Sequence, residues 1–323
     1  MDEFDFIKSI QPSYHKQASL KKGIGDDAAI IKEGYQNIIT TVDTMVENIH
    51  FSRKTTKPFD IGYRVLAANI SDIAAMGGTP TFYLVSIVIP KSWSHDELKK
   101  IYQGMENLAD VFHMDLLGGD TVSGDQLVVS VTVLGTVADH KERYRSHAME
   151  GDFVFVTGTL GDAAAGLHLL LEDSTQHEGY EYFTKRHQQP MPRVQFINEA
   201  ASITRIALND VSDGIANELN EIAEASTVQI NIDYERLPKH KAMNHFSSAL
   251  QEEWLLSGGE DFELVGTVAE KDWEYLQEAA NKTNTPLAKI GEVISSNNSP
   301  FRVQLYKNGK YQLLEKSGYT HLK

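Results

Sequence analysis

Apolar positions along the 323-residue chain change period several times, and each change marks an element. Helical spacing predicts a short amphipathic helix over 2–10. Two runs rich in β-branched residues, 28–31 and 37–42, predict strands joined by a turn at 33–36, the second running straight into Asp43. Helical spacing over 59–76 ends at Gly77-Gly78 and Pro80, and 81–89 reads as a buried strand. Ser94 and Glu97 form a capping box opening a helix that runs to about residue 113. A short strand at 116–117 leads into a Gly-Gly-Asp-Thr turn at 118–121, and a strand over 126–137 returns from it. The polar, aperiodic stretch 141–152 marks a domain boundary, giving domains 1–145 and 146–323.

The second half restarts with a strand at 153–157, a glycine turn and a helix over 161–172. Residues 173–193 are polar and proline-punctuated and read as a surface excursion. A helix at 194–207 precedes an Asn-Asp-Val-Ser-Asp-Gly turn at 209–214 and a helix at 215–225. Strand, helix, strand and helix follow, then a strand through Val293-Ile294 and two closing strands. Alternating strands and helices predict layered α/β architecture in both halves.

Within the helix at 59–76, a single acid, Asp72, interrupts a small, apolar run. An ionised carboxylate there is costly unless a cation or dense hydrogen bonding compensates it. Four more acidic segments stand elsewhere: Gly-Asp-Asp at 25–27, Val-Asp-Thr at 42–44, Gly-Gly-Asp-Thr at 118–121 and the turn at 209–214. Taken singly, each reads better as an aspartate turn or helix cap. Taken together, they predict convergence around Asp72 to hold magnesium and nucleotide phosphates. The candidate ligands are Asp27, Asp43, Asp72, Asp120, Asp210 and Asp213, with the Thr41 hydroxyl and the Val42 carbonyl as neutral oxygens. Mg²⁺ takes few carboxylates and fills its octahedron with phosphate oxygens and water.

Neither a lysine-bearing phosphate loop nor a dinucleotide fingerprint is present. Gly158-Thr-Leu-Gly161 offers either backbone N–H groups to a phosphate or tight strand–helix packing, with nothing to separate the two. Arg145 is a candidate phosphate clamp or a solvated boundary arginine. His50 is a candidate contact for a substrate phosphate or a structural histidine.

Charge and composition narrow the classes further. A formal net charge of −15 disfavours nucleic acid and anionic membrane as partners. The absence of cysteine excludes disulfides, thiolate metal sites and a cysteine nucleophile. The acidic N-terminus lacks the order of a signal peptide, and no apolar run is long enough to span a bilayer, so the expected location is cytoplasmic.

The segments G-I-G-D-D, T-V-D-T-M-V-E-N-I-H-F, N-I-S-D-I-A-A-M-G, G-G-D-T, D-V-S-D-G and S-G-G-E-D-F-E-L occur from Gly23 onward in a telling order. That order resembles the thiamine-monophosphate kinases, relatives of aminoimidazole ribonucleotide synthase, and the resemblance extends to Tyr319. It implies ATP-dependent phosphorylation of thiamine monophosphate to thiamine diphosphate. It also implies a two-domain aminoimidazole ribonucleotide synthase-like fold whose N-terminal sheet domain forms a homodimer interface. Under the resemblance, Asp27, Thr41, Asp43, Asp72, Asp120, Asp210 and Asp213 are metal ligands. Tyr102, Gly119, Arg145 and Ser212 are nucleotide contacts, and His50, Glu260 and Tyr319 are substrate contacts. Departures from the family pattern are Val42, His147 with Glu150, and the 173–193 stretch; none touches a carboxylate. The alternatives are a purine-biosynthesis-type synthase of the same superfamily and a non-catalytic nucleotide- or metal-binding regulator.

Overall fold

The structure, a computed structural model, describes residues 12, 14, 16–22, 30–31, 37–295 and 302–318. The expected helix at 2–10, together with Asp27 and Tyr319, lies outside the described residues. The chain divides into two compact units, 1–73 with 78–139, and 74–77 with 140–323.

The first unit runs β1 (Leu20–Lys22), β2 (Ile30–Ile31), β3 (Asn37–Val46), α1 (Pro58–Ala75), β4 (Thr79–Ile89), α2 (His95–Val111), β5 (Asp115–Ser123) and β6 (Val128–Val137). Its four-stranded sheet has the order β3-β6-β4-β5, with β1 and β2 pairing separately. Alternate positions of β6 are buried, as expected of a sheet with one face covered. The covering layer is α1 and α2, whose Val65, Leu66, Ile70, Leu98, Ile101 and Met105 are fully buried. The capping box is formed: Ser94 N donates to Glu97 Oε2 at 2.9 Å, and Glu97 N donates to Ser94 Oγ at 3.4 Å.

The two helices cross closely at a pair of glycines. A Cβ on Gly104 would stand 1.8 Å from the Phe59 carbonyl oxygen, and one on Gly62 equally close to that of Ile101. Gly104→Ala is therefore expected to destabilise the protein by about 2 kcal/mol, although alanine favours a helix by about 1 kcal/mol over glycine. A urea midpoint equal to or above that of the parent would refute this reading of the crossing.

One expected turn is absent. Gly118-Gly119-Asp120-Thr121 lies inside β5, paired in parallel with Leu84–Ile87 of β4. Gly119 is needed there because a Cβ would approach Val85 O to 1.7 Å. Asp43 likewise sits within β3, paired with Val131, rather than beyond its end.

The second unit contains β7 (Asp152–Thr157), α3 (Asp162–Leu171), α4 (Tyr180–Gln188), α5 (Val194–Glu199), β8 (Ile206–Asp210), α6 (Ile215–Ser226), β9 (Gln229–Asp233), α7 (Ser248–Ser257), β10 (Leu264–Ala269), α8 (Trp273–Lys282), β11 (Leu287–Ile294), β12 (Val303–Lys307) and β13 (Lys310–Leu314). Seven strands form one mixed sheet, β13-β12-β9-β11-β7-β10-β8, in which only β9 and β12 pair in parallel. Both faces are covered at this end of the sheet, so β10 and the outermost strand β8 are continuous buried runs. Val154 and Val156 join a core with Ile215, Leu219 and Ile222 of α6. On the other face Phe155 meets Phe196 of α5, and Phe153 meets Trp273 of α8.

Two further expectations are corrected. Residues 173–193 are no surface excursion: α4 packs against α3 through Phe183, which is fully buried beside Ala165 and Leu169. The helix expected over 194–207 stops at Glu199, and 206–210 is the buried strand β8, ladder-paired with β10.

Candidate active site

In β3 the side chains of Thr41 and Asp43 share one face, and α1 lies over it. Asn69 and Asp72, three residues apart, fall on the same side of that helix. Thr41 Oγ1 donates to Asp72 Oδ2 at 2.5 Å, and Asp43 N donates to Asn69 Oδ1 at 3.0 Å. Asn69 is itself fixed, donating from Nδ2 to Val65 O at 2.8 Å. The Asp43 and Asp72 carboxyls also hydrogen-bond each other, which requires a proton between them. Burial, then the Asp72 charge and that shared bond, push Asp43 up to about 7.

A divalent cation would replace that proton, and the donors are all oxygens, as Mg²⁺ prefers. The residues therefore fit the ion as a partial set. Among the described residues no group of three or more His, Cys, Asp or Glu side chains closes around one point. Phosphate oxygens and water would supply the remaining positions. Val42 turns its side chain to the opposite face, 60% exposed, so its backbone alone is left for this role.

Asp120 is not with this pair. The register runs Thr44–Ser130–Ser86–Asp120 across the sheet, one position out of step with Asp43–Val131–Val85–Gly119. Asp120 thus lies on the open face, opposite to Asp43, and three strand spacings away, about 14 Å. Tyr102 is buried in α2 beneath the covered face, and burial raises its phenol.

His50 sits in the turn after β3, where Asn48 takes φ of +66°. Its Nδ1 accepts from Val46 N at 3.0 Å, so in the neutral ring Nε2 carries the proton and is a donor. The fully buried Arg64 holds the His50 carbonyl at 3.0 Å.

In the second unit, Asp210 ends β8 and is buried, and Ser212 and Asp213 occupy the loop to α6. Glu218 Oε1 accepts from Asp213 N at 3.0 Å, and its other oxygen accepts from Asn209. Burial pushes the Glu218 carboxyl up to about 7; the Asp213 N–H opposes this, while the Glu221 and Asp213 charges add to it. Arg145 pairs with Glu221 at 3.1 Å. Glu260 N donates to Ser212 O at 2.7 Å, which brings Glu260 beside the Ser212–Asp213 loop. Gly318 completes this cluster, since a Cβ there would stand 2.1 Å from Asp213 O.

The Gly158–Gly161 turn packs against the chain's own carboxylates. Gly161 N and Ala163 N donate to Asp261 at 2.6 and 2.9 Å, so the N-terminus of α3 is filled internally. Gly158 leaves room for Glu263, whose carboxyl oxygen would lie 2.0 Å from a Cβ at that position. The sequence reading gives no role to Asn69, Glu218 or Glu221, and includes Asp261 and Glu263 only within the S-G-G-E-D-F-E-L segment. Asn69 had a local signal, its helical spacing from Asp72.

The family described as AIR synthase related protein matches this chain twice, its N-terminal domain over residues 25–137 and its C-terminal domain over 149–304. A thiamine-monophosphate kinase of Bacillus subtilis is 50% identical over 329 aligned residues, covering 100% of both chains. The crystal structure of thiamine-monophosphate kinase from Stenotrophomonas maltophilia superposes with a TM-score of 0.85 at 32% identity, covering 95% of this chain and 96% of that one. AaThiL complexed with AMPPCP and TMP superposes with a TM-score of 0.77 at 27% identity, covering 94% and 93%. The fold and the paired domain matches define an AIR synthase-related protein. Within that class the chain belongs to the thiamine-monophosphate kinase family.

Proposed function

We propose that this chain transfers the γ-phosphoryl group of ATP to thiamine monophosphate, giving thiamine diphosphate and ADP. The end-to-end match to a thiamine-monophosphate kinase at 50% identity carries the reading. The nucleophile is a terminal oxygen of the substrate's own phosphate. A phosphate monoester has its second pKa near ~6 and is mostly dianionic at neutral pH, so no general base is required. A bond forms from that oxygen to the γ-phosphorus as the bond to the bridging β,γ-oxygen breaks, and ADP departs. The protein's task is then positioning and charge neutralisation.

Asp43 and Asp72, with Thr41, are the proposed magnesium ligands of the first unit, and Asp210 and Asp213 those of the second. Bound Mg²⁺ supplies positive charge against the repulsion between two anionic substrates. Asp27 and the Val42 carbonyl complete the proposed ligand set. His50 offers its Nε2–H to the substrate phosphate. Glu260 faces the cationic thiamine moiety, with Tyr319 stacking on it. Gly119, Tyr102, Arg145 and Ser212 are the proposed nucleotide contacts, and Arg145 would exchange Glu221 for phosphate.

The working form is a cytoplasmic homodimer. Its support is the open face of the first sheet, where Ile38 and Val42 are 70% and 60% exposed and Val122 is 47% exposed. Asp120 stands on that face and joins the site through the dimer.

Phosphorus NMR of the purified protein with ATP, Mg²⁺ and thiamine monophosphate tests the assignment. Thiamine diphosphate and ADP are expected in equal amounts without free phosphate. ADP with free phosphate and no thiamine diphosphate would indicate a synthase-type relative, and binding without ATP loss a regulator.

A further inference from the structure

The segment Gly259–Glu263 carries Glu260 between two unusual constraints. Glu260 itself takes φ of +66° and Phe262 takes φ of +49°, a region that side-chain-bearing residues adopt only when their surroundings enforce it. The enforcing contacts are on both sides. Upstream, Glu260 N and Phe262 N are tied to Ser212 O and Val211 O. Downstream, the fully buried Glu263 carboxylate accepts from Arg193 Nε at 2.6 Å, from Arg193 Nη2 at 2.5 Å, from Arg186 Nη2 at 2.7 Å and from Thr157 Oγ1 at 2.7 Å. Arg186 Nη2 also donates to the Asp261 backbone carbonyl at 3.1 Å. Asp261, next to Glu260, locks onto the α3 N-terminus through Gly161 N and Ala163 N.

Core packing alone does not call for this. Two partly exposed arginines closing over the buried carboxylates of Glu263, Asp261 and Asp162 are an expensive way to hold a strand end, because buried ion pairs gain little over apolar residues of the same volume. What the ionic clamp adds is direction: a bidentate guanidinium fixes both oxygens of a carboxylate and hence the backbone that bears it.

We infer that Arg193 and Arg186, gripping Glu263 and the Asp261 carbonyl, are positioning residues that set Glu260 in its left-handed conformation for the thiamine moiety of the substrate. The inference rests on the reading of Glu260 as a thiamine-side contact. The polar 173–193 stretch thereby acquires a purpose, since α4 brings Arg186 and the turn after it brings Arg193. Arg193→Lys keeps the charge and breaks the bidentate grip.

The test is steady-state kinetics on full-length Arg193→Lys, Glu260→Gln and the double variant, with the KM for thiamine monophosphate and for ATP measured separately. Glu260→Gln and Arg193→Lys should each raise the KM for thiamine monophosphate about tenfold, leaving kcat and the KM for ATP within about twofold. The double variant should be no worse than Glu260→Gln alone, because the clamp acts through that residue. A merely structural role would lower the active fraction, and so kcat, without moving either KM. If Arg193→Lys does not fold, Thr157→Val keeps every charge, and should raise the same KM about threefold by removing one of the two donors to Glu263 Oε2. Multiplied effects in the double variant would overturn the inference. An impaired Glu260→Gln beside folded clamp variants with parental KM values would overturn it alone. A parental KM in Glu260→Gln would remove the thiamine-contact reading and the inference with it.

Discussion

Asp72→Asn is expected to lower kcat by about 10²–10³-fold with the fold retained, since the loss of one preorganised charge-stabilising group costs about that much. The substitution is nearly isosteric, and Thr41 Oγ1 can still donate to the remaining side-chain oxygen. What disappears is one of the two negative charges on the Asp43 face of α1. The effect on the metal-free protein should have the opposite sign. Asp43 titrates at about 7 when folded, against an ordinary 3.8, so the folded state holds its proton where the unfolded chain has released it. The stability associated with that proton is full below about 3.8 and is lost as pH rises through about 7. Removing the Asp72 charge lowers the Asp43 value, so metal-free Asp72→Asn should melt higher than the parent at pH 8 and no higher at pH 4. Paired melting curves with and without Mg²⁺ measure both halves: the parent should gain far more from the ion than the variant. A near-parental turnover rate, or equal Mg²⁺ stabilisation of the two proteins, would remove Asp43 and Asp72 from the proposed metal site.

Ile38→Asp should convert the protein from dimer to monomer in light scattering and abolish turnover. Ile38 is 70% exposed on the open face of the first sheet, so the change costs the isolated fold little. In a two-fold assembly the introduced charge would meet an apolar partner surface, at a cost of several kcal/mol when desolvated without a partner. Asp120 shares that face, so loss of the dimer should remove its contribution together with the mass. A fully active Ile38→Asp monomer would show that the site is complete within one chain.

Some of this architecture is readable in local sequence because its causes are local. The helix ending at Gly77 shows as spacing plus a stop, with Gly77 at φ +77°, and the Ser94 capping box is spelled out in four residues. The Asp43–Asp72 pairing was suggested by the cost of an acid on an apolar helical face. The place of Asp120 was not readable. Which face a strand residue takes depends on register, and a shift of one position reverses it. Gly118-Gly119-Asp120-Thr121 has the composition of a turn, and only the parallel pairing with β4 makes it a strand. The run at 206–210 suited a helix end as well as a strand, and its pairing with Leu264–Val268 decides the matter. Arg186 and Arg193 find Glu263 some seventy residues away, beyond the reach of any local pattern.

The position of β3 at the edge of its sheet also bears on how this protein fails. It is ten residues long, and its exposed side chains are Asn37, Ile38, Thr40, Val42 and Thr44. Its one charge, Asp43, points to the inner face. Neither lysine, proline nor bulge interrupts it, the devices by which edge strands avoid recruiting other chains. With the Asp43 N–H taken by Asn69, the rest of the strand offers a template for intermolecular β-pairing. Aggregation on dilution or mild heating should begin at this strand while the second unit is still folded, with turbidity rising before the main unfolding transition.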